Sequence, residues 1–354
     1  MKLRVKYLVV VVLVAAVVGI VLVAAVKRKE PGGDVAIRVL ESTVPSEFEI
    51  ASALTGKDIL KEEGVTLDRI NSVESSGGTV SIQALLGNNI DYAGSAWPAW
   101  INAIARGAKI KAVVTSNGSS KLNPGNGLVV LDNSNIRTVK DLVGKRIAVN
   151  VLGASADYEI RDYLRQNGLS IDQVQLVVVP SRQIEQVLRS GQVDVAAWTM
   201  SGGPDYELAK DHGGLRELPG TRRYDVRGET IIFGSGFRTE FLENHPRSVI
   251  HFINAVERSR HVIWDTYEKD PERVKKTYAE ITAKKGGNPQ LGKYYKPTVL
   301  STHAFANDKD IQWWIDILVS EGKLKPGQIK PSDVYTHKYN QFYKNSNSDT
   351  VSGQ

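Results

Sequence analysis

From residue 36 onward, apolar runs of strand length alternate with amphipathic stretches of helical period, and the alternation recurs in two successive regions. Strands buried on both faces, next to helices with one apolar stripe, hide those surfaces best against each other, so the pattern demands a sheet covered by helices. The fold class is therefore α/β. The first region reads as a strand at 36–40, helices at 47–54 and 80–86, strands at 90–93 and 110–115, and a helix at 98–105 with Pro98 suited to its first turn. Gly87 and Gly107 are the natural stops. The second region reads as a strand at 146–150, a helix at 156–166 capped by Ser155, a strand at 174–179, a helix at 182–189 and a strand at 193–198. Gln83, Leu85, Ile90, Asp91 and Ala93 are echoed without gaps by Gln186, Leu188, Val193, Asp194 and Ala196. One helix–turn–strand unit in each half implies two similar lobes; the alternative is a chance match or grammar common to α/β folds. Beyond residue 235 the patterns are long and helical, at 246–267, 271–281 and 309–321, and this part is expected to pack across the lobes.

Residues 7–26 are an unbroken apolar run, which as a helix rising about 1.5 Å per residue crosses a bilayer core of about 30 Å. Basic residues flank it on both sides: Lys2, Arg4 and Lys6 before, Lys27, Arg28 and Lys29 after. Residues 1–30 are read as a retained membrane anchor, with a signal cleaved near Ala24 and Ala25 as the alternative. Residues 31–35 form a linker and 343–354 a polar, frayed end. The formal charge of +6 comes from the flanks of the apolar run, because positions 31–354 hold 39 basic and 38 acidic residues. A nucleic-acid partner is not expected without a basic stripe in the folded part. The chain has no cysteine, which excludes disulfides, thiolate metal sites and thiol nucleophiles.

Several segments together resemble the nitrate/sulfonate/taurine-type solute-binding proteins of ABC importers. They are Gly87 to Ala93 leading to Ile104 to Gly107; Val139 to Val149 followed by Gly153, Ala154 and Ser155; Gln186 to Asp194 running to Trp198; and Asn244 to Val249. The resemblance implies a two-lobed type II periplasmic-binding-protein fold with a central ligand cleft. Residues 36–130 plus 236–342 would form lobe 1 and 131–235 lobe 2, with crossings near 128–132 and 231–235.

In open α/β sheets ligands sit beyond the carboxyl ends of strands, where helix starts converge. Loops of that kind hold Ser42 and Thr43, then Gly78 and Thr79, then Ser95 and Trp97, and in the second region Gly153 and Ser155. Glycines admit close approach, hydroxyls donate, and a helix start carries partial positive charge, which favours an anion. Ser155 and Thr79 could instead simply cap their helices. Trp198 ends a strand and is the best apolar wall, ahead of Trp97 and Trp100; Arg182 would neutralise an anion or sit solvated on the surface. Glu41 and Glu47 lie near the first loop and leave a cationic or zwitterionic ligand open.

The histidines have no metal-ligand spacing, no phosphate loop or dinucleotide fingerprint occurs, and Ser235 lacks a nucleophile elbow, so neither cofactor nor metal nor catalysis is expected. Asn117, Gly118 and Ser119 form a glycosylation sequon, consistent with an external face. The expected function is the extracytoplasmic, membrane-anchored component of an ABC importer. It would capture a small anionic solute of the sulfonate, taurine or nitrate class by hinged lobe closure and deliver it to a permease and its ATPase. A tethered sensory or adhesion domain is the alternative. An enzyme like the pyrimidine synthases of thiamine biosynthesis is a further one, although this chain lacks their cysteine-rich motif.

Overall fold

A computed structural model describes residues 34–42, 44–71, 78–121, 123–198, 204–297, 303 and 305–343. The apolar run at 7–26, most of the linker, Thr43 and residues 344–354 lie outside them. Among the described residues no helix is long and apolar enough to cross a membrane.

The chain begins with β1 (Ile37–Leu40), α1 (Glu47–Thr55), α2 (Ile59–Glu62), β2 (Leu67–Ile70), α3 (Gly78–Leu86), β3 (Tyr92–Ala96), α4 (Trp97–Ala105) and β4 (Ile110–Ser119). There follow β5 (Leu128–Leu131), β6 (Arg146–Val149), α5 (Ser155–Gln166), β7 (Gln175–Val178), α6 (Ile184–Arg189), β8 (Val195–Ala197), α7 (Pro204–Asp211), β9 (Leu215–Glu217) and α8 (Arg223–Arg227). The last part holds β10 (Thr230–Arg238), α9 (Thr239–Asn244), α10 (Pro246–Lys269), α11 (Pro271–Lys284), α12 (Asp308–Ser320) and α13 (Pro331–Val334). Local chemistry sets several of these ends. Ser46 and Glu49 close a capping box on α1, and Gly56, with φ of 69°, turns the chain out of it. Asn307 caps α12 by accepting the Asp310 N–H.

The strands form three sheets: β1 beside β2; β3, β10 and β4; and β7, β6, β8, β5 and β9, each in spatial order. In the largest, β6 is parallel to both β7 and β8, whereas β5 runs antiparallel to β8 and β9. The chain passes between the second and third sheets twice, at 120–127 and at 218–229, so the passages precede the strands expected to make them. Strand β10 lies antiparallel between β3 and β4 and bulges at Ser235 and Gly236. A Cβ on Gly236 would stand 2.0 Å from the Lys111 carbonyl oxygen, and one on Gly234 would stand 2.2 Å from the Trp97 ring. Only glycine lets these surfaces close.

Four apolar clusters follow. Phe48, Val249, Phe252 and Phe237 pack under α1 and α10, and Trp97, Trp100, Ile311 and Trp314 between α4 and α12. On the five-stranded sheet, Ile147, Ile160, Leu164 and Val195 pack beneath α5, and Ala148, Ile184, Leu188, Trp198 and Tyr206 beneath α6 and α7. Each large apolar side chain so buried contributes about 1.5–3 kcal/mol.

Three readings from sequence are corrected. The strand expected at 90–93 spans Tyr92–Ala96, because β10 pairs with residues through Ala96, and Ser95 therefore lies in a strand and not in a loop. Strand β2 went unread because Leu67, Asp68, Arg69 and Ile70 lack an apolar run and pair along one edge only. Ser119 of the sequon is fully buried at the end of β4 and donates to the Gly228 carbonyl at 2.9 Å, while Asn117 is half-buried in the same strand, so the sequon lies in a strand pairing with β10.

Candidate functional site

Two helix starts carry the chemistry. At the first, Gly78 opens α3 directly against β3, where a Cβ would stand 2.2 Å from Ser95 Oγ. The glycine thus seats the helix on Ser95, itself 2% exposed. Thr79 follows, and its Oγ1 is buried with no hydrogen-bond partner. At the second, Ala154 occupies the cap position of α5 without any side-chain bond, and Ser155 is the first helical residue, buried behind it. The expectation that Ser155 caps α5 is therefore corrected. Gly153 turns with φ of 75° and donates its N–H to Asp157 Oδ2 at 2.8 Å, which ties the entering chain to the first turn of the helix but leaves the first-turn N–H groups without a side-chain cap. Asp157 also accepts from Arg161 Nε at 2.7 Å. One strand-end away, Asn150 Oδ1 is buried and has no partner. The first-turn N–H groups of both helices lack intrahelical acceptors, so each start is an oriented donor set.

The remaining candidates fall into distinct settings. Trp198 follows β8 directly, is 7% exposed, and packs at 5.4 Å from the Tyr206 ring while forming part of a cavity wall. Arg182 lies exposed in a short turn after β7, and its charge acts on Asp205 at the start of α7. Burial pushes the Asp205 carboxyl up, and Arg182 offsets part of that. Ser42 is exposed, and its hydroxyl accepts the Val44 N–H at 3.1 Å. Trp97 and Trp100 are fully buried, and their indole nitrogens donate to the carbonyls of Ile231 at 3.1 Å and Gly234 at 3.0 Å. Both rings are core, which corrects the reading of Trp97 as a ligand wall. Glu47 receives Arg260 Nε at 3.0 and 3.1 Å, and Glu41 lies 3.3 Å from Lys285 Nζ and 3.6 Å from Arg69. Each carboxylate is therefore matched by a cation, which weakens the case for a cationic ligand.

Polar contacts join the helices of the five-stranded sheet to described elements outside it. Arg161 of α5 reaches Glu321 beyond α12 at 3.2 Å, and the Tyr158 hydroxyl bonds Asn102 of α4. On the far side, Asp211 of α7 accepts from Lys293 Nζ at 2.5 Å and from the Tyr294 hydroxyl. Sequence reasoning missed Asn150 and these bridges, for a polar residue ending a strand and a surface charge carry no signature of a distant partner.

Comparison with known proteins gives this geometry its context. A Bacillus subtilis protein named for binding aliphatic sulfonates is 28% identical over 218 residues, which span 60% of this chain and 60% of that relative's length. The periplasmic aliphatic sulphonate binding protein of Escherichia coli matches with a TM-score of 0.63 at 19% identity, over 85% of this chain and 92% of the other. The periplasmic nitrate-binding protein of a Synechocystis strain matches with a TM-score of 0.65 at 11% identity, over 91% of both chains. These are binding proteins and not enzymes, and the fold is that of the periplasmic binding proteins. Residues 55–273 match the family model described as NMT1/THI5 like, and the chain belongs to that family.

Proposed function

We propose that this protein is the extracytoplasmic solute-binding component of an ABC importer and that it captures a small anion of the sulfonate, taurine or nitrate class. The observation that carries the reading is the pair of helix starts whose hydroxyls do not serve their own helices: Thr79 Oγ1 is buried and unpartnered, and Ser155 lies inside α5 while Ala154 holds the cap position. A buried hydroxyl without a partner costs about 1–3 kcal/mol, and an anion at a helix start gains about 0.3–1 kcal/mol, so a ligand oxygen would relieve the first and collect the second. Gly78, Gly153 and Ser155 would shape the approach, Trp198 would wall it, and Ser42 and Arg182 would stand at its margin. Ser95 acts through Gly78. The ligands named for the relatives agree with an anion.

In this reading residues 36–130 and 236–342 form one lobe and 131–235 the other. Solute enters the open cleft and closure buries it. The Arg161–Glu321 and Asp211–Lys293 contacts are then the ones closure makes, and a ligand touching both lobes favours that state. The closed form docks on a permease driven by an ATPase, while residues 7–26 hold the protein at the membrane. The test is thermal unfolding of the full chain against nitrate, taurine, alkanesulfonates, bicarbonate and small zwitterions. A ligand at one hundred times its Kd adds about 2.7 kcal/mol. A saturable shift with a sulfonate, taurine included, or with nitrate supports the reading; a shift confined to cations, or to zwitterions that carry no sulfonate, overturns the anion assignment.

A further inference from the structure

Arg227 ends α8, in the second passage between the sheets, and lies in the wall of a cavity of about 540 Å³ counting the solvent in its mouth. The other walls are Leu128 on β5, Ala156 and Tyr163 on α5, Trp198 after β8 and Trp313 on α12. Both passages of the chain therefore meet here, together with a helix from each side.

The charges in that wall are unevenly satisfied. Glu159 holds Arg223 through two bonds, of 2.6 and 3.0 Å. Asp162 is held by Arg165 at 2.5 Å and by Gln166 at 2.6 Å. Thr221 Oγ1 accepts the Leu128 N–H at 2.9 Å and donates to the Leu218 carbonyl at 2.7 Å. Arg227 differs in its charge partner: its guanidinium lies 3.1 Å above the Trp313 ring and 5.1 Å from that of Trp314 and forms no ion pair among the described residues, while its Nη1, like that of Arg223, is buried without a hydrogen-bond partner. Stacking on an indole orients a planar cation and offsets part of its desolvation, but leaves the in-plane N–H donors to an acceptor lying at the ring's edge. Burial pushes the Arg227 pKa down to about 10, although Glu159 and Asp310 pull the other way. A cation so placed feels carboxylates at a distance but has no bonded counter-charge among the described residues.

We infer that this cavity is an anion site in which Arg227, fixed by Trp313, binds a carboxylate, sulfonate or inorganic oxyanion through its unpartnered Nη1. The anion has two sources, a free ion or the charged end of the captured solute. In the second case the inference rests on the proposed function, and in the first it stands alone.

The experiment is titration calorimetry of the full chain with sodium sulfate at constant ionic strength, and with whichever solute shifts its melting. Wild type is compared with Arg227→Met, which keeps an apolar stem against Trp313, and with Arg227→Lys, which keeps the charge but not the planar fork. A charge-assisted bond lost from a desolvated site raises Kd at least about tenfold. Sulfate affinity falling by that factor in the Met variant, with solute affinity unchanged, identifies a free anion. The same fall in solute affinity identifies the solute's own charged end. In either case the Lys variant recovers part of the loss, and the ligand-free Met variant melts no lower than wild type, because it buries no unpaired charge. Sulfate and solute affinities that match wild type in the Met variant, or no anion binding by wild type at all, overturn the inference.

Discussion

The Asp91 carboxylate grips Arg38 three times, accepting its backbone N–H at 3.0 Å, its Nε at 2.9 Å and its Nη2 at 2.6 Å. Asp194 grips Arg146 in the same way, at 2.8, 3.1 and 3.0 Å. In both cases the aspartate's own N–H returns to the arginine's carbonyl, at 2.8 and 2.9 Å. The two first strands, β1 and β6, are thus stapled alike to a helix–turn–strand unit. The copies differ in burial. The Asp91 side chain is 3% exposed and also receives Arg238, whereas that of Asp194 is 31% exposed.

Replacing Asp91 with Asn should accordingly cost about 3 kcal/mol, because it strands two arginines in a buried setting, while Asp194→Asn should cost about 1 kcal/mol. Urea unfolding of both variants measures the difference. Equal losses would mean that burial does not set the strength of these staples.

The same pair fixes a pH response. Burial alone would raise the Asp91 carboxyl, but the bonds from Arg38 and Arg238 outweigh it and leave its pKa lowered; for Asp194 the bond from Arg146 is the main cause of a lowered value. A carboxyl with a depressed folded pKa contributes stability in full above its unfolded value of about 3.9, and loses it as pH falls through the folded value. Stability should therefore fall below about pH 4 with a slope that Asp91→Asn reduces. A slope unchanged in that variant would contradict the assignment.

The echo between Asp91 and Asp194 was legible because the pattern repeats in sequence, and so were the α/β class and the long helices after β10, whose apolar periods are strong. What was not legible depends on distant partners. Trp97 reads as an apolar ligand wall in the sequence, whereas Gly234 on β10 makes room for its ring in the core. Ser155 reads as a cap because serine usually is one, but the helix starts one residue earlier than that reading and Ala154 takes the cap position. Arg227 gave no signal, since an arginine among polar residues reads as solvated, and only the fold brings Trp313 beneath it.

Gly236→Ala should destabilise the protein by about 1–3 kcal/mol, as a Cβ 2.0 Å from the Lys111 carbonyl forces β10 away from β4 at its bulge. Thermal melting with amide exchange on β4 reads it. A neutral substitution would show that β10 can shift register freely.

Thr79→Val removes a buried hydroxyl that has no partner and keeps the volume. The ligand-free protein should then be unchanged or more stable by up to about 1 kcal/mol, while solute affinity drops about tenfold. Lost stability with unchanged affinity would make Thr79 a structural residue.

Arg161→Ala breaks the link between α5 and Glu321. If that link forms on closure, solute affinity should weaken roughly two- to fivefold, and the radius of gyration by X-ray scattering should rise in solute. Identical scattering profiles for variant and wild type would remove this contact from the closing motion.

The most direct measurement is calorimetric titration of the full chain with alkanesulfonates, taurine and nitrate, in wild type and in a Thr79→Val, Ser155→Ala double variant. The account predicts saturable one-to-one binding of at least one of these anions by wild type, and binding weakened by about tenfold or more in the double variant. Failure of every anion to bind, or equal affinity in the two proteins, would contradict it.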